Sequence, residues 1–182
     1  SFKSNGIQDL NSGNGGDDLF FHYYTPCTTV DSTLLRRIAT TASNYVGSSN
    51  YTSASMATLT AAYNKAVGII NDLNADGYTT SNQTAINEAT TALRSALDSL
   101  KTTVYFNGNG GTSTAPSKEF TIGTNTTAIV NVADVTASRD KYLFKGWSNS
   151  TTATEGKNEF TLGFNNTLYA AWLSNSYWIN ID

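Results

Sequence analysis

The stretch Thr84–Leu100, reading TAINEATTALRSALDSL, decides the first half of the fold. Its apolar residues Ile86, Ala89, Leu93, Ala96 and Leu100 step by three and four, which lines one face of an α-helix. Thr80 and Gln83 precede it at capping-box spacing. Toward the N-terminus, Met56, Leu59, Tyr63, Ala66, Ile70 and Leu73 draw a second stripe, with Thr52 or Ser53 as its start. Leu34, Leu35, Ile38, Ala42 and Tyr45 draw a third, started by Asp31 and stopped by Gly47. Asp76-Gly77 supplies the turn between the second and third helices. Loops this short make neighbouring helices antiparallel, so a three-helix bundle is predicted over 30–101.

Beyond Leu100 the period changes from helical to two. Thr103-Val104-Tyr105-Phe106 reads as a strand before the turn Asn107-Gly108-Asn109-Gly110-Gly111. Phe120 and Ile122 alternate with polar residues, as do Ala128, Val130 and Val132. Tyr142–Trp147 and Asn166–Trp172 are two further strands, and a short helix or turn is expected between Ala133 and Asp140. A β-rich domain is therefore predicted over 102–182, with Tyr177-Trp178-Ile179-Asn180-Ile181 as one more strand or the beginning of a following module.

Residues 1–29 read as a β-hairpin segment, with a long turn at Asn11–Asp18, an aromatic strand at Leu19–Tyr24 and a stop at Pro26. Two strands do not make a stable domain, so this segment is expected to be the end of a truncated one. The linkers Pro26–Val30 and Leu100–Thr103 are short, which predicts a fixed arrangement of the segments.

Composition narrows the setting. Charged residues are 14% of the chain against 39% hydrophobic, and Ser, Thr and Asn carry the polar surface. Net charge is −3, and Arg36-Arg37 is the only adjacent basic pair, so nucleic acid is not an expected partner. No apolar run reaches the ~20 residues of a membrane span. Cys27 is the single cysteine, which excludes an internal disulfide. A hydroxyl- and amide-rich surface without disulfides points to the surface of a Gram-positive bacterium, and because Ser1-Phe2-Lys3 does not open a signal peptide, any secretion signal is expected upstream of Ser1. Five glycosylation-type triplets, at Asn50, Asn82, Asn125, Asn149 and Asn165, are read as chance in a chain this rich in Asn and Thr.

Three resemblances follow from these residues. The run Val30-Asp31, Tyr51-Thr52, Leu59, Ala66, Tyr78-Thr79, Ile86, Ala89, Leu93, Ala96-Leu97 and Leu100 resembles the FIVAR module of Gram-positive cell-wall-associated proteins. Members of that family are three-helix spacers, and some bind sugars or matrix proteins. Val104 and Phe106 before Asn107-Gly108-Asn109-Gly110-Gly111, then Tyr142-x-Phe144-x-Gly146-Trp147, then Thr167–Trp172 resemble the Listeria–Bacteroides (internalin-type B) repeat over 102–172. That resemblance implies an extracellular, small β-grasp-like sheet over one short helix. The chain departs from the family in having Ala133-Asp134-Val135-Thr136-Ala137 where a Pro-rich stretch is usual. Residues 1–26 resemble the closing hairpin of a β-prism-like bacterial surface repeat. The combined expectation is a multi-module α and β chain: a three-helix bundle, a β-grasp-like domain and an N-terminal hairpin segment.

Chemistry-bearing residues are few. His22 is the single histidine, so a zinc motif has too few ligands, and a serine triad or a cysteine nucleophile at Cys27 has only this one possible base. Asp9, Asn11, Asn14, Asp17 and Asp18 offer oxygens, but Phe20 stands where a calcium loop places its bidentate Glu. Gly108-Asn109-Gly110-Gly111 lacks the Lys and the following helix of a phosphate loop and reads as a hairpin turn. Trp147 and Trp172 occupy repeat-pattern positions and are expected in the core. Trp178 and Tyr177 fall outside the pattern and are the candidate ligand-binding residues.

No catalytic, metal or cofactor site is expected. The sequence reads as a non-catalytic spacer or accessory region of a large secreted or cell-wall-attached protein, monomeric, with other modules of that protein as its partners. The alternative is an adhesin module for glycans, mucin or host extracellular proteins, including the accessory region of a secreted glycosidase or peptidase.

Overall fold

The computed structural model describes residues 30–76 and 82–175. The hairpin expected at 1–29, the Thr80 cap and the strand expected at 177–181 lie outside the described residues. Three helices come first: α1 (Thr33–Ser43), α2 (Ser53–Asp76) and α3 (Asn82–Asp98). Eight strands follow: β1 (Lys101–Asn107), β2 (Thr112–Ser113), β3 (Ser117–Thr121), β4 (Ala128–Asn131), β5 (Ala137–Ser138), β6 (Tyr142–Ser148), β7 (Glu159–Leu162) and β8 (Asn166–Ser174).

Each helix touches the other two. Their shared core holds Leu35, Ile38, Ala42, Leu59, Ala66, Leu73, Ile86, Ala89, Leu93, Ala96 and Leu100, with Met56, Tyr63, Ile70 and Tyr45 packed at its margin. Full burial of each Leu or Ile side chain is worth roughly 1.5–3 kcal/mol. Leu34 departs from the expected stripe and is exposed, because the buried face of α1 runs through Leu35, Ile38, Ala39 and Ala42. The helix starts follow their local chemistry. Thr52 Oγ1 accepts the Ser55 N–H at 3.4 Å, whereas the N-cap of α1 is Ser32, not the expected Asp31, and it makes no side-chain cap bond; Asp31 Oδ1, one residue earlier, accepts the Thr33 N–H at 2.9 Å. Gln83 works at long range: its Oε1 accepts the Asp31 N–H at 2.8 Å and its Nε2 donates to the Asp31 carbonyl at 3.3 Å, tying the start of α3 to the start of α1.

The main sheet has the order β3-β1-β8-β6. Its central pair, β1 and β8, is parallel, while β1–β3 and β6–β8 are antiparallel. Alternation sends Val104 and Phe106 of β1, with Leu168, Ala170 and Trp172 of β8, to one face. The antiparallel pair β4–β7 adds Val130, Phe160 and Leu162 to that core. The expected cover of one short helix does not form. No helix lies between Lys101 and Asn175, and the β4–β7 ribbon contributes to the core instead. The segment after Val132 is a turn, set by Val135 N–H on the Val132 carbonyl and Ala133 N–H on Asn131 Oδ1. In β6 the register shifts between Phe144 and Trp147, where Gly146 takes φ +106°, a glycine bulge.

The helical and β parts join through a packed, hydrogen-bonded seam. The Leu100 carbonyl accepts the N–H groups of Ile122 and Gly123, and the Lys101 carbonyl accepts that of Thr52. Ile122 is 2% exposed and belongs to the helical core, with Phe120, Ala128 and Phe164 packed against it. Gly123 has φ +60°, and a Cβ there would stand 3.3 Å from the Asp98 carbonyl oxygen.

Candidate functional site

The candidate ligand-binding residues Tyr177 and Trp178 lie outside the described residues, as do His22, Cys27 and the oxygen-bearing turn Asp9–Asp18. Among the described residues, no group of three or more His, Cys, Asp or Glu side chains is placed to hold a metal ion.

Trp147 and Trp172 are core residues. Trp147 is fully buried and its Nε1 donates to the Val135 carbonyl at 2.7 Å. Its ring lies 4.7 Å from Phe106 and 5.4 Å from Phe144, centroid to centroid. Trp172 is 6% exposed, and its Nε1 donates to the carbonyls of Gly108 and Asn109 at 3.0 and 3.1 Å.

That contact explains the glycine-rich turn. Asn109 (φ +48°) and Gly110 (φ +89°) are the left-handed central pair of a turn closed by Gly111 N–H on the Gly108 carbonyl at 2.9 Å. Asn109 Nδ2 donates to the carbonyls of Thr151 and Ala170, at 2.7 and 3.0 Å, so one side chain fastens the turn to a distant loop and to β8. A Cβ on Gly111 would stand 2.6 Å from the Trp172 ring, which is why glycine occupies that position. The turn is a structural clamp whose backbone carbonyls face an indole.

The opposite face of the main sheet is where side chains are available to a partner. Tyr105 points away from the core between Val104 and Phe106 and is 46% exposed. Tyr169, between Leu168 and Ala170, shares that face and is half-buried. Tyr105 pairs with Thr167 and Asn107 pairs with Tyr169, so the tyrosines are diagonal neighbours on adjacent strands. Farther along β8, Leu173 is paired directly with Leu143 of β6, and both are exposed. Ser117 and Glu119 of β3 border Tyr105 on one side, and Thr103 precedes it on the same face of β1. These four apolar and aromatic side chains occupy outward positions of alternating strands, a signal the sequence carries separately from its tryptophans.

Charged contacts are peripheral. Lys118 Nζ sits 2.7 Å from Asp134 Oδ1 and holds that carboxyl below its ordinary range. Lys145 and Glu155 stand 3.5 Å apart, and the Arg139 guanidinium lies 3.8 Å over the Tyr142 ring. Hydrogen bonds from Thr33 lower the Asp31 carboxyl in the same way. Burial, then the neighbouring Tyr45, pushes the Tyr51 phenol up. This arrangement offers stacking surface and hydrogen bonds. No protein-family model, no curated protein and no solved structure matches the chain.

Proposed function

We propose that the chain is a non-catalytic accessory or spacer region of a large secreted or cell-wall-attached Gram-positive bacterial protein, holding another domain out from the cell surface. In this reading the helices are a FIVAR-like three-helix bundle. The strands are a Listeria–Bacteroides-type repeat, with the parallel central pair β1–β8 acting as the centre of a β-grasp-like sheet. The observation that carries the proposal is the seam between the two. A spacer transmits position only if its modules keep their relative orientation, and here Ile122 is buried in the helical core while Leu100, Lys101 and Thr52 are hydrogen-bonded across the boundary. An extracellular setting agrees with the low charge and the hydroxyl-rich surface.

A second reading, an adhesin module for glycans or host extracellular proteins, is favoured by the open sheet face with Tyr105 and Tyr169. Aromatic rings on a flat face stack on sugar rings, and exposed apolar clusters mark interaction sites. A solid-phase panel of mucin glycans, matrix proteins and Gram-positive cell wall separates the two. The spacer reading predicts no saturable binding by the whole chain. Saturable binding lost in Tyr105→Ala or Tyr169→Ala would overturn it in favour of the second reading.

A further inference from the structure

Two Asn-Gly pairs stand two residues apart, Asn107-Gly108 and Asn109-Gly110, and the structure treats their side chains in opposite ways. Asn-Gly is the dipeptide in which a side-chain amide is most open to attack by the next backbone nitrogen, because glycine carries no Cβ to screen it. Asn107 is exposed. Its Oδ1 accepts the Asn109 N–H at 2.8 Å, which polarises the amide carbonyl, and its Nδ2 makes no hydrogen bond among the described residues. Asn109 is half-buried, and its Nδ2, the group that would have to leave, is held by the Thr151 and Ala170 carbonyls.

We propose that Asn107 is a site of spontaneous deamidation in the folded protein, and that the clamp protects Asn109 from the same reaction. The Gly108 nitrogen attacks Asn107 Cγ, forming a C–N bond and a five-membered succinimide. The Cγ–Nδ2 bond breaks, and Nδ2 leaves as ammonia with the proton lost from the Gly108 nitrogen. One water then opens the ring at either carbonyl, giving aspartate or isoaspartate at position 107, with no change of oxidation state. The isoaspartate product routes the main chain through the side-chain carbon, one atom longer, immediately before the turn that Trp172 anchors. Conversion therefore loosens the junction of β1 and the clamp. At Asn109 the same chemistry would first have to break two hydrogen bonds to carbonyls and would leave a carboxylate facing them.

The test is peptide mapping of the whole chain after incubation at mildly alkaline pH, native and in denaturant, with isoaspartate methyltransferase labelling. In the native chain the amide-to-acid mass gain and the label should accumulate at Asn107. Asn109 should convert at least about tenfold more slowly, the factor expected for losing hydrogen bonds of ordinary strength. In denaturant that difference should collapse, and in the native chain Asn107→Gln should remove most of the label from the peptide that carries both sites. Equal native rates at the two sites would overturn the proposal. So would a native Asn107 that stays intact while the denatured chain converts.

Discussion

Tyr51 meets Phe164 edge to face, with ring centroids 5.3 Å apart and planes at 79°, across the boundary between the helices and the sheet. Tyr51 stands just before α2, and Phe164 lies in the turn between β7 and β8. The pair therefore couples two parts of the chain that share no secondary structure. The Tyr45 ring lies 6.3 Å beyond Tyr51, so the contact extends into the helical side.

This pair should carry a measurable coupling energy. A double-mutant cycle with Tyr51→Leu and Phe164→Leu is expected to give about 0.5–1.5 kcal/mol, the range for aromatic pairs beyond simple burial. Urea denaturation of the four proteins measures it. A coupling indistinguishable from zero would mean the rings are neighbours without consequence for stability.

Alkaline pH should weaken the same contact. The Tyr51 phenol is pushed above its ordinary value of about 10 by burial and then by Tyr45. The folded state thus favours the neutral form, and its contribution is full below the ordinary value and is lost as pH rises through the folded one. Urea midpoints taken upward from about pH 9 should fall, and Tyr51→Phe should flatten the alkaline limb. Asp134 has the opposite sign: Lys118 lowers its carboxyl, so its small, solvent-screened contribution is present above about pH 4 and disappears as pH falls.

Glycine substitutions should split by sign. Gly68 lies inside α2, and a Cβ there meets nothing within 4 Å, so Gly68→Ala should stabilise the protein by about 0.5–1 kcal/mol. At Gly156 a Cβ would stand 2.4 Å from the Gly146 carbonyl carbon, so Gly156→Ala must force two backbones apart. Thermal melts of the two variants should move in opposite directions; a common direction would refute this account of the β6 bulge.

Replacing Trp172 by Phe should cost about 1–3 kcal/mol even though an aromatic ring is retained. The Gly108 and Asn109 carbonyls would lose their indole donor in a part-buried site. Trp147→Phe leaves the Val135 carbonyl without its buried donor and should cost a similar amount. Denaturant titration of each variant checks both values.

The helices were legible because their stripes are periodic and their starts are local. Ile86, Ala89, Leu93, Ala96 and Leu100 are all buried, as their spacing predicts. Leu34 is exposed while its neighbour Leu35 is buried, because the spacing from Ile38 fits either leucine and only the packing of α1 decides between them. The long strands were legible from alternation, whereas β7 was missed although Glu159-Phe160-Thr161-Leu162 alternates cleanly, because four residues between polar loops give a weak signal. The Gln83–Asp31 contact and the Trp172–Gly108 anchor join residues far apart in sequence, so no local pattern contained them. The open face with Tyr105 and Tyr169 was implicit in the alternation, but which face stays uncovered depends on where β4 and β7 pack.

The central claim is that helices and sheet move as one body, and backbone 15N relaxation of the whole chain tests it most directly. Amides of α2 and of β8 should report a single rotational correlation time. They should separate only when the seam is opened by the double substitution Tyr51→Ala with Phe164→Ala. Two distinct correlation times in the unmodified chain would contradict the account and leave the spacer reading without its carrying observation.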